Sequence, residues 1–383
     1  MMLGLLLARA GVSVVVLEKH ADFLRDFRGD TVHPSTLEVI HELGLLNDFL
    51  KRPHSKVVQG RVQFGDEEFL LADFSHLSTQ CKFIAFMPQW DFLTFLLDHA
   101  KTYPAFKHLM QTKVTDLIEE NGRVMGVVAA TPNGIVEIRA DLVVGADGRG
   151  SVVREKAGLA VTATGAPIDV LWMRLSRKST DPVMPLGRFL PGRVFVMLNR
   201  EDYYQCAFVF PKGEFETIKT RGLEALRDEI ASIVPSVRDR LHELRDWNEV
   251  GLLTVKIDRL ATWYKDGLLC IGDAAHAMSP VGGVGINLAI QDAVAAANLL
   301  ARPLKERRLT TEDLRQVQRR RELPTKLTQR AQVLMQNAVI NKALIGKKVR
   351  PPLALRLIRR FPFLTRLPAF AIGVGVRPEH VQS

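Results

Sequence analysis

The chain has 383 residues, 47% hydrophobic and 25% charged, the composition of a soluble globular protein that can bury a substantial core in two domains or one large composite one. No run approaches the ~18 uninterrupted apolar residues of a membrane span, and Cys81, Cys206 and Cys270 are too few and too scattered for a disulfide framework or a zinc site, which points to a reducing, cytoplasmic compartment. The net charge of +10 is local: residues 301–383 carry 19 Lys and Arg against 5 Asp and Glu, whereas the rest carries 33 against 37, and no aromatic platform or nucleic-acid motif accompanies the basic runs.

From the N-terminus, MMLGLLLARA reads as a tightly packed apolar helix ended by Gly11. The β-branched run Val12–Leu17 reads as a strand buried on both faces, and it ends on Glu18. Ala8-Arg9-Ala10 could instead mark a secretory cleavage site, but the stretch has no basic n-region and the mature chain would then begin inside a strand. Residues 36–50 form an amphipathic helix interrupted by Gly44, and 90–103 form another after Pro88-Gln89. A meander follows, KVTDLIEE, RVMGVVAAT and IVEIRADLVVGADG, with hairpin turns at Asn121-Gly122 and Pro132-Asn133-Gly134. Its last run, Leu142–Ala146, is a buried strand delivering Asp147-Gly148 at its carboxyl end.

Residues 160–260 alternate apolar and polar, as in DVLWMRLSRK and YYQCAFVFPKG, which predicts an inserted antiparallel sheet with one covered face and a helix over 223–235. Strand LLCIGDA (268–274) returns to α/β character and leads to a helix from Gly285 to Leu300. The remaining residues are helical and basic. The chain thus divides into 1–159 and 261–320 as two parts of one nucleotide-binding domain, 160–260 as a substrate-binding sheet domain, and 321–383 as a basic helical segment.

The chemistry concentrates in GLLCIGDAAHAMSPVGGVGINLAIQDAVAAANLL, residues 267–300. A strand end presents Gly272-Asp273, and a loop with Gly282, Gly283 and Gly285 opens a helix near Asn287. Glycines allow close backbone approach to a ligand, and the free N–H groups of a helix start suit a phosphate. Asp273 can accept a hydrogen bond from a ribose or ribitol hydroxyl.

GDAAHAMSPVGGVGINLAIQDA resembles the GD motif of the FAD-dependent aromatic-ring hydroxylases, the p-hydroxybenzoate hydroxylase-like flavoprotein monooxygenases. DLVVGADGRGSVVREKAGL (141–159) resembles their DG motif, including Asp147, Gly148, Ser151 and Arg154. The two motifs stand in the family's order with a sheet domain between them, and the resemblance covers about residues 1–300. Arg28, in FRGDTVHPSTLEVI, and Gln89 match positions that contact the flavin cofactor in the family. The resemblance implies a Rossmann-like α/β FAD-binding domain in which Glu18 holds the adenosine ribose. Asp273 would bind the ribitol side, and Pro280 with Gly282, Gly285, Ile286 and Asn287 would line the flavin ring. Asp147 and Arg154 would serve the FAD-binding face and, in addition, a face that contacts NAD(P)H. No G-x-G-x-x-G precedes Met1-Met2, so the expected first strand and pyrophosphate loop are missing. The chain as given is expected to be N-terminally truncated and to bind FAD poorly.

The resemblance further implies that NAD(P)H reduces the flavin, that dioxygen forms a flavin C4a-hydroperoxide, and that this hydroxylates an aromatic or similar small organic substrate. No catalytic acid or base is legible and no metal is expected. His276 reads as a supporting histidine, His33 as a helix cap, and Tyr203 and Tyr204 as packing residues. The alternatives are a reductase or dehydrogenase of the same fold acting on a prenyl or lipid-like substrate, a flavin halogenase (whose W-x-W-x-I signature is absent), and a non-catalytic fragment. The basic C-terminal segment reads first as a solvated helical face, with peripheral contact to an anionic lipid surface or to an acidic partner as the sharper readings.

Overall fold

In the computed structural model, which describes residues 1–24, 31–181, 186–200, 202–345 and 350–382, the opening helix is Met2–Arg9, and it buries Leu5, Leu6 and Leu7. Gly4 is required there. A Cβ on it would stand 2.8 Å from Val16 Cγ2 and 3.0 Å from Phe106 Cε2, so the helix reaches the strands beneath it only without a side chain at that point. Gly11, at φ +80°, ends the helix and turns the chain into the strand Val14–Leu17.

That strand pairs in parallel with Phe106–Leu109 and with nothing else among the described residues. It is not buried on both faces as its composition predicts: Val15 is 41% exposed, and Val14–Leu17 all border a large cavity. The second parallel pair, Val143–Gly145 with Leu268–Cys270, belongs to a separate sheet, and its Val143 and Val144 also border the cavity. The carboxyl ends of these two pairs deliver Glu18, Asp147 and the Gly272-Asp273 turn. The meander is as read, Lys113–Glu120, Arg123–Thr131 and Gly134–Arg139, turning at Asn121 and Gly122 with φ +51° and +81°.

The predicted helix over 36–50 is two helices, Pro34–Glu42 and Leu46–Leu50, parted where Gly44 adopts φ +74°. The segment after Pro88 folds as Gln89–Ala100. The antiparallel sheet has seven strands and is not confined to 160–260. Gln59–Phe64 and Glu67–Asp73 join it, the first lying parallel to Gly187–Leu190 in the register Gly187 to Val62. The helix Leu223–Ile233 covers one face with Leu226 and Ile230.

The long helix Gly285–Lys305 is apolar and long enough to cross a membrane, but two thirds of its most apolar window (67%) is packed inside the fold, so it reads as a core helix. The following helix, Thr311–Met335, opens with a reciprocal cap between Thr310 and Asp313 and runs across residue 320, joining the basic C-terminal segment directly to the nucleotide-binding part. Two short helices, Leu353–Arg360 and Arg366–Gly373, then close over the edge of the seven-stranded sheet.

Candidate active site

One cavity of about 1960 Å³ runs from the strand ends to the inner face of the seven-stranded sheet. Of the residues predicted from sequence, it gathers Glu18, Gln89, Asp147, Gly272, Asp273, Pro280, Gly282, Gly285 and Ile286 on its wall. Arg28 lies outside the described residues. Asn287 does not line the cavity: it is buried, and its side-chain oxygen accepts a 2.5 Å bond from the Thr36 hydroxyl. Thr31 makes the matching contact one turn earlier, donating to the Gly283 carbonyl at 2.9 Å. Both bonds fasten the segment 31–36 to the glycine loop, so Asn287 positions that loop.

The loop geometry depends on its glycines. Gly282 and Gly283 sit at φ +82° and +64°, and a Cβ on Gly283 would meet Thr31 Oγ1 at 2.5 Å. Asp273 is one-third exposed to the cavity and receives Arg149 Nε at 3.1 Å, while Arg149 Nη2 donates to the Met278 carbonyl at 3.0 Å. The remaining Arg149 nitrogen, Nη1, is buried without a partner. Arg149 lies in the same GADGRGS stretch that carries Asp147, and its adjacency to that acid was the available signal for it.

Asp147 accepts from the Ser151 hydroxyl at 2.5 Å and from the Val153 amide at 3.3 Å, which orients its carboxylate at the start of the helix Val152–Lys156. Glu18 accepts from the His20 amide at 3.0 Å. Arg154 does not reach the cavity. Its guanidinium is bound to Asp258 at 3.3 Å and to the Arg149 carbonyl, which ties the 147–154 turn to the strand Asp258–Leu260.

Behind the Gly272-Asp273 turn lies a buried ionic cluster that local sequence gives no signal for, because its bonded partners are 16 to 58 residues apart. Asp292 is fully buried and accepts from the Gly272 amide at 3.0 Å, His276 Nε2 at 2.6 Å and Arg321 Nε at 3.0 Å. Burial alone would raise the Asp292 carboxyl; the charge and hydrogen bond of His276, with Arg321 and the Gly272 amide, outweigh it and hold the group below the usual carboxylate range. Arg321 reaches on to the Arg377 carbonyl at 3.2 Å and to Glu379 at 3.4 Å. His276 is thus a supporting residue, stacked obliquely beside Trp263 with ring centroids 4.9 Å apart.

His33 occupies the cap position of Pro34–Glu42, but its side chain does not cap. Its Nδ1 donates to the Ile372 carbonyl at 2.7 Å, and burial draws its pKa down to about 4 against the opposing pull of the Ile372 and Gly283 carbonyls. Tyr203 and Tyr204 are packing residues, under the guanidinium of Arg174 (3.9 Å) and near that of Arg177 (5.9 Å). The far half of the cavity is almost wholly apolar, lined by Val62, Phe64, Val170, Phe189 and Leu253 among others, with Trp172 Nε1 a buried donor that has no partner.

The strand-end acids, the glycine loop that a Cβ would fill, and the orphaned Arg149 nitrogen form a fitted setting for a dinucleotide with a flat ring system, so this is a flavoprotein of the mixed α/β class. The sequence profile of the FAD binding domain family matches residues 1–331, and the chain belongs to that family, among the FAD-dependent aromatic-ring hydroxylases. It is similar to the 6-methylpretetramide 4-monooxygenase of Streptomyces rimosus, 32% identical over 97% of this chain and 89% of that protein. It also resembles the uncharacterized aromatic compound monooxygenase YhjG of Bacillus subtilis (strain 168), 28% identical over 79% of this chain; the match spans 60% of YhjG's length. Among solved structures, OxyS anhydrotetracycline hydroxylase from Streptomyces rimosus shares the fold at TM-score 0.77 and 24% identity, over 98% of this chain and 74% of that one. The p-nitrophenol 4-monooxygenase PnpA of Pseudomonas putida DLL-E4 does so at TM-score 0.74 and 21% identity, over 98% and 95%.

Proposed function

We propose that this chain is an FAD-dependent monooxygenase that uses NAD(P)H and dioxygen to hydroxylate a bulky, largely apolar aromatic compound. The observation that carries the reading is the continuity of one cavity from the strand-end acids to the apolar face of the sheet. Glu18, Asp147, Asp273 and the 280–286 loop would hold FAD, and Gln89 borders the same space. FAD supplies the activation of dioxygen when it is bound and reduced.

The remaining work falls to the protein. Arg149 fixes the Asp273 carboxylate through Nε and keeps Nη1 free to donate. The Thr31 and Thr36 bonds fasten the glycine loop in place. Val62, Phe64, Val170 and Phe189 exclude water from the substrate end, and the Trp172 N–H and the Gln205 amide on the same wall would orient a carbonyl or phenolate oxygen. The reaction class named for the Streptomyces rimosus relative, a monooxygenation, supports the reading. A reducing, cytoplasmic setting agrees with three buried free thiols, of which Cys270 is pushed up to about 12 by burial.

The test is stoichiometric. With FAD in excess, polycyclic phenols are screened for stimulation of NAD(P)H oxidation, and oxygen uptake is recorded in parallel. Equal consumption of both, dependent on the phenol, is the expected result. Phenol-independent consumption, or reduction of an unsaturated lipid without oxygen uptake, would replace this reading with the reductase alternative.

A further inference from the structure

The C-terminal helices carry two opposed faces. Leu353–Arg360 turns Leu355 and Ile358 inward onto Val62, Phe64 and Phe69. Its other side leaves Leu353 and Leu357 75% and 53% exposed, with Arg356 and Arg360 beside them in solvent. Arg366–Gly373 repeats the arrangement. Ala369 and Gly373 pack inward, a Cβ on Gly373 standing only 3.0 Å from Leu77 Cδ1, while Leu367 and Phe370 are 67% and 52% exposed. Phe363, in the link between the helices, is 62% exposed.

Single exposed apolar residues are ordinary, but a contiguous set on two adjoining helices marks an interaction surface. The charge pattern narrows the partner. Residues 350–378 hold six arginines and no aspartate or glutamate; Arg359 is paired with Glu67 of the neighbouring strand at 2.6 Å, while Arg356 and Arg360 stand in solvent beside the exposed leucines. A solvated face would mix signs, and a two-fold interface with a second copy would bring this arginine-rich surface against itself. Leucine and phenylalanine interleaved with arginine alone is the pattern of a helix lying in the headgroup layer of an anionic bilayer.

The position of the face adds a second observation. Leu357 and Leu367 are exposed and at the same time line the large cavity, together with Ala354, Pro368 and Ile372. The two helices therefore form an apolar rim where the cavity meets the surface.

We propose that the face formed by Leu353–Arg360 and Arg366–Gly373 docks on an anionic lipid surface, and that the Leu357–Leu367 rim admits an apolar substrate from it. The docking stands independently of the proposed reaction; the admission of substrate rests on it.

The experiment is co-sedimentation of the full chain with vesicles of phosphatidylcholine alone and of phosphatidylcholine mixed equally with phosphatidylglycerol. Binding to the anionic vesicles, weakened by salt and absent from the neutral ones, is expected. Arg356→Gln with Arg360→Gln should weaken it about fivefold per arginine, and Phe363→Ser with Phe370→Ser roughly tenfold or more per side chain. All four residues are exposed and off the cavity wall, so thermal melting should be unchanged. Failure to bind either vesicle, or equal binding to both, overturns the proposal. So does a dimer in sedimentation analysis that the phenylalanine substitutions dissociate, because a second copy would then cover the face. None of these outcomes touches the oxygen stoichiometry that tests the reaction.

Discussion

Gly272 is the pivot on which Asp273 is presented, and replacing it with alanine tests that role directly. Its φ of +58° lies in the left-handed region, which costs a residue with a Cβ about 1–2 kcal/mol. The added methyl would also stand 2.9 Å from the Ala289 Cβ, on the long helix behind the turn. Neither backbone can retreat freely, because the Gly272 amide is bound to Asp292 and Ala289 is fixed in the second turn of the long helix, half-buried at the cavity wall. Forced overpacking of that kind costs about 1–3 kcal/mol, so Gly272→Ala should lose about 2–5 kcal/mol in total. The second substitution, Ala289→Gly, removes the clash and not the backbone strain, at a cost near 1 kcal/mol of its own. Urea unfolding of the two single variants and the double variant should therefore give a favourable coupling of about 1–3 kcal/mol. FAD titration of the same proteins should show weakened affinity in Gly272→Ala and partial recovery in the double variant. Additive effects, or a Gly272→Ala protein within about 0.5 kcal/mol of the parent, would refute the packing argument.

Other expectations follow from the same geometry. Asp273→Ala should weaken FAD binding by about 10- to 100-fold, the loss of a charge-assisted hydrogen bond, as read by flavin fluorescence titration; unchanged affinity would remove Asp273 from the cofactor contacts. Arg321→Met leaves the buried Asp292 carboxylate short of a charge partner and should cost about 3–5 kcal/mol in unfolding experiments. His33 takes up a proton in the folded chain only near pH 4, against 6.5 for its ordinary value, so the unfolded chain binds the proton first and stability rises with pH between those limits. Its contribution, complete above pH 6.5, should fall by about 2 kcal/mol by about pH 5, and His33→Gln should flatten that acid limb in pH-dependent thermal melts.

What the sequence discloses and what it hides divide along the range of the interactions. Elements whose signals are local are legible: the Asn121-Gly122 hairpin, the opening helix closed by Gly11, and the strand ends that present Asp147 and Asp273. Nine of the eleven predicted cofactor residues stand on one wall, seven of them from the paired motifs and the other two, Glu18 and Gln89, from the N-terminal part of the chain. Residues that act across long separations are hidden. Gln59–Phe64 joins the seven-stranded sheet through a partner strand more than a hundred residues later, and nothing within six residues announces that pairing. Asp292, Arg321 and Glu379 meet only in the folded chain. Arg154 and Asn287 sit inside the right motifs yet turn toward Asp258 and Thr36, because a motif fixes the backbone and leaves each side chain to its neighbours. The strand Val14–Leu17 shows the converse failure: its composition calls for two covered faces, and the cavity leaves one of them partly open.

The most direct test of the central claim is the fate of the oxygen atom. The purified chain, given excess FAD, NAD(P)H and a polycyclic phenol that stimulates turnover, is supplied with dioxygen labelled in its heavy isotope, and the product is weighed by mass spectrometry. One labelled oxygen atom in the ring product is the expected result. An unlabelled or merely reduced product, with NAD(P)H still consumed, would contradict it.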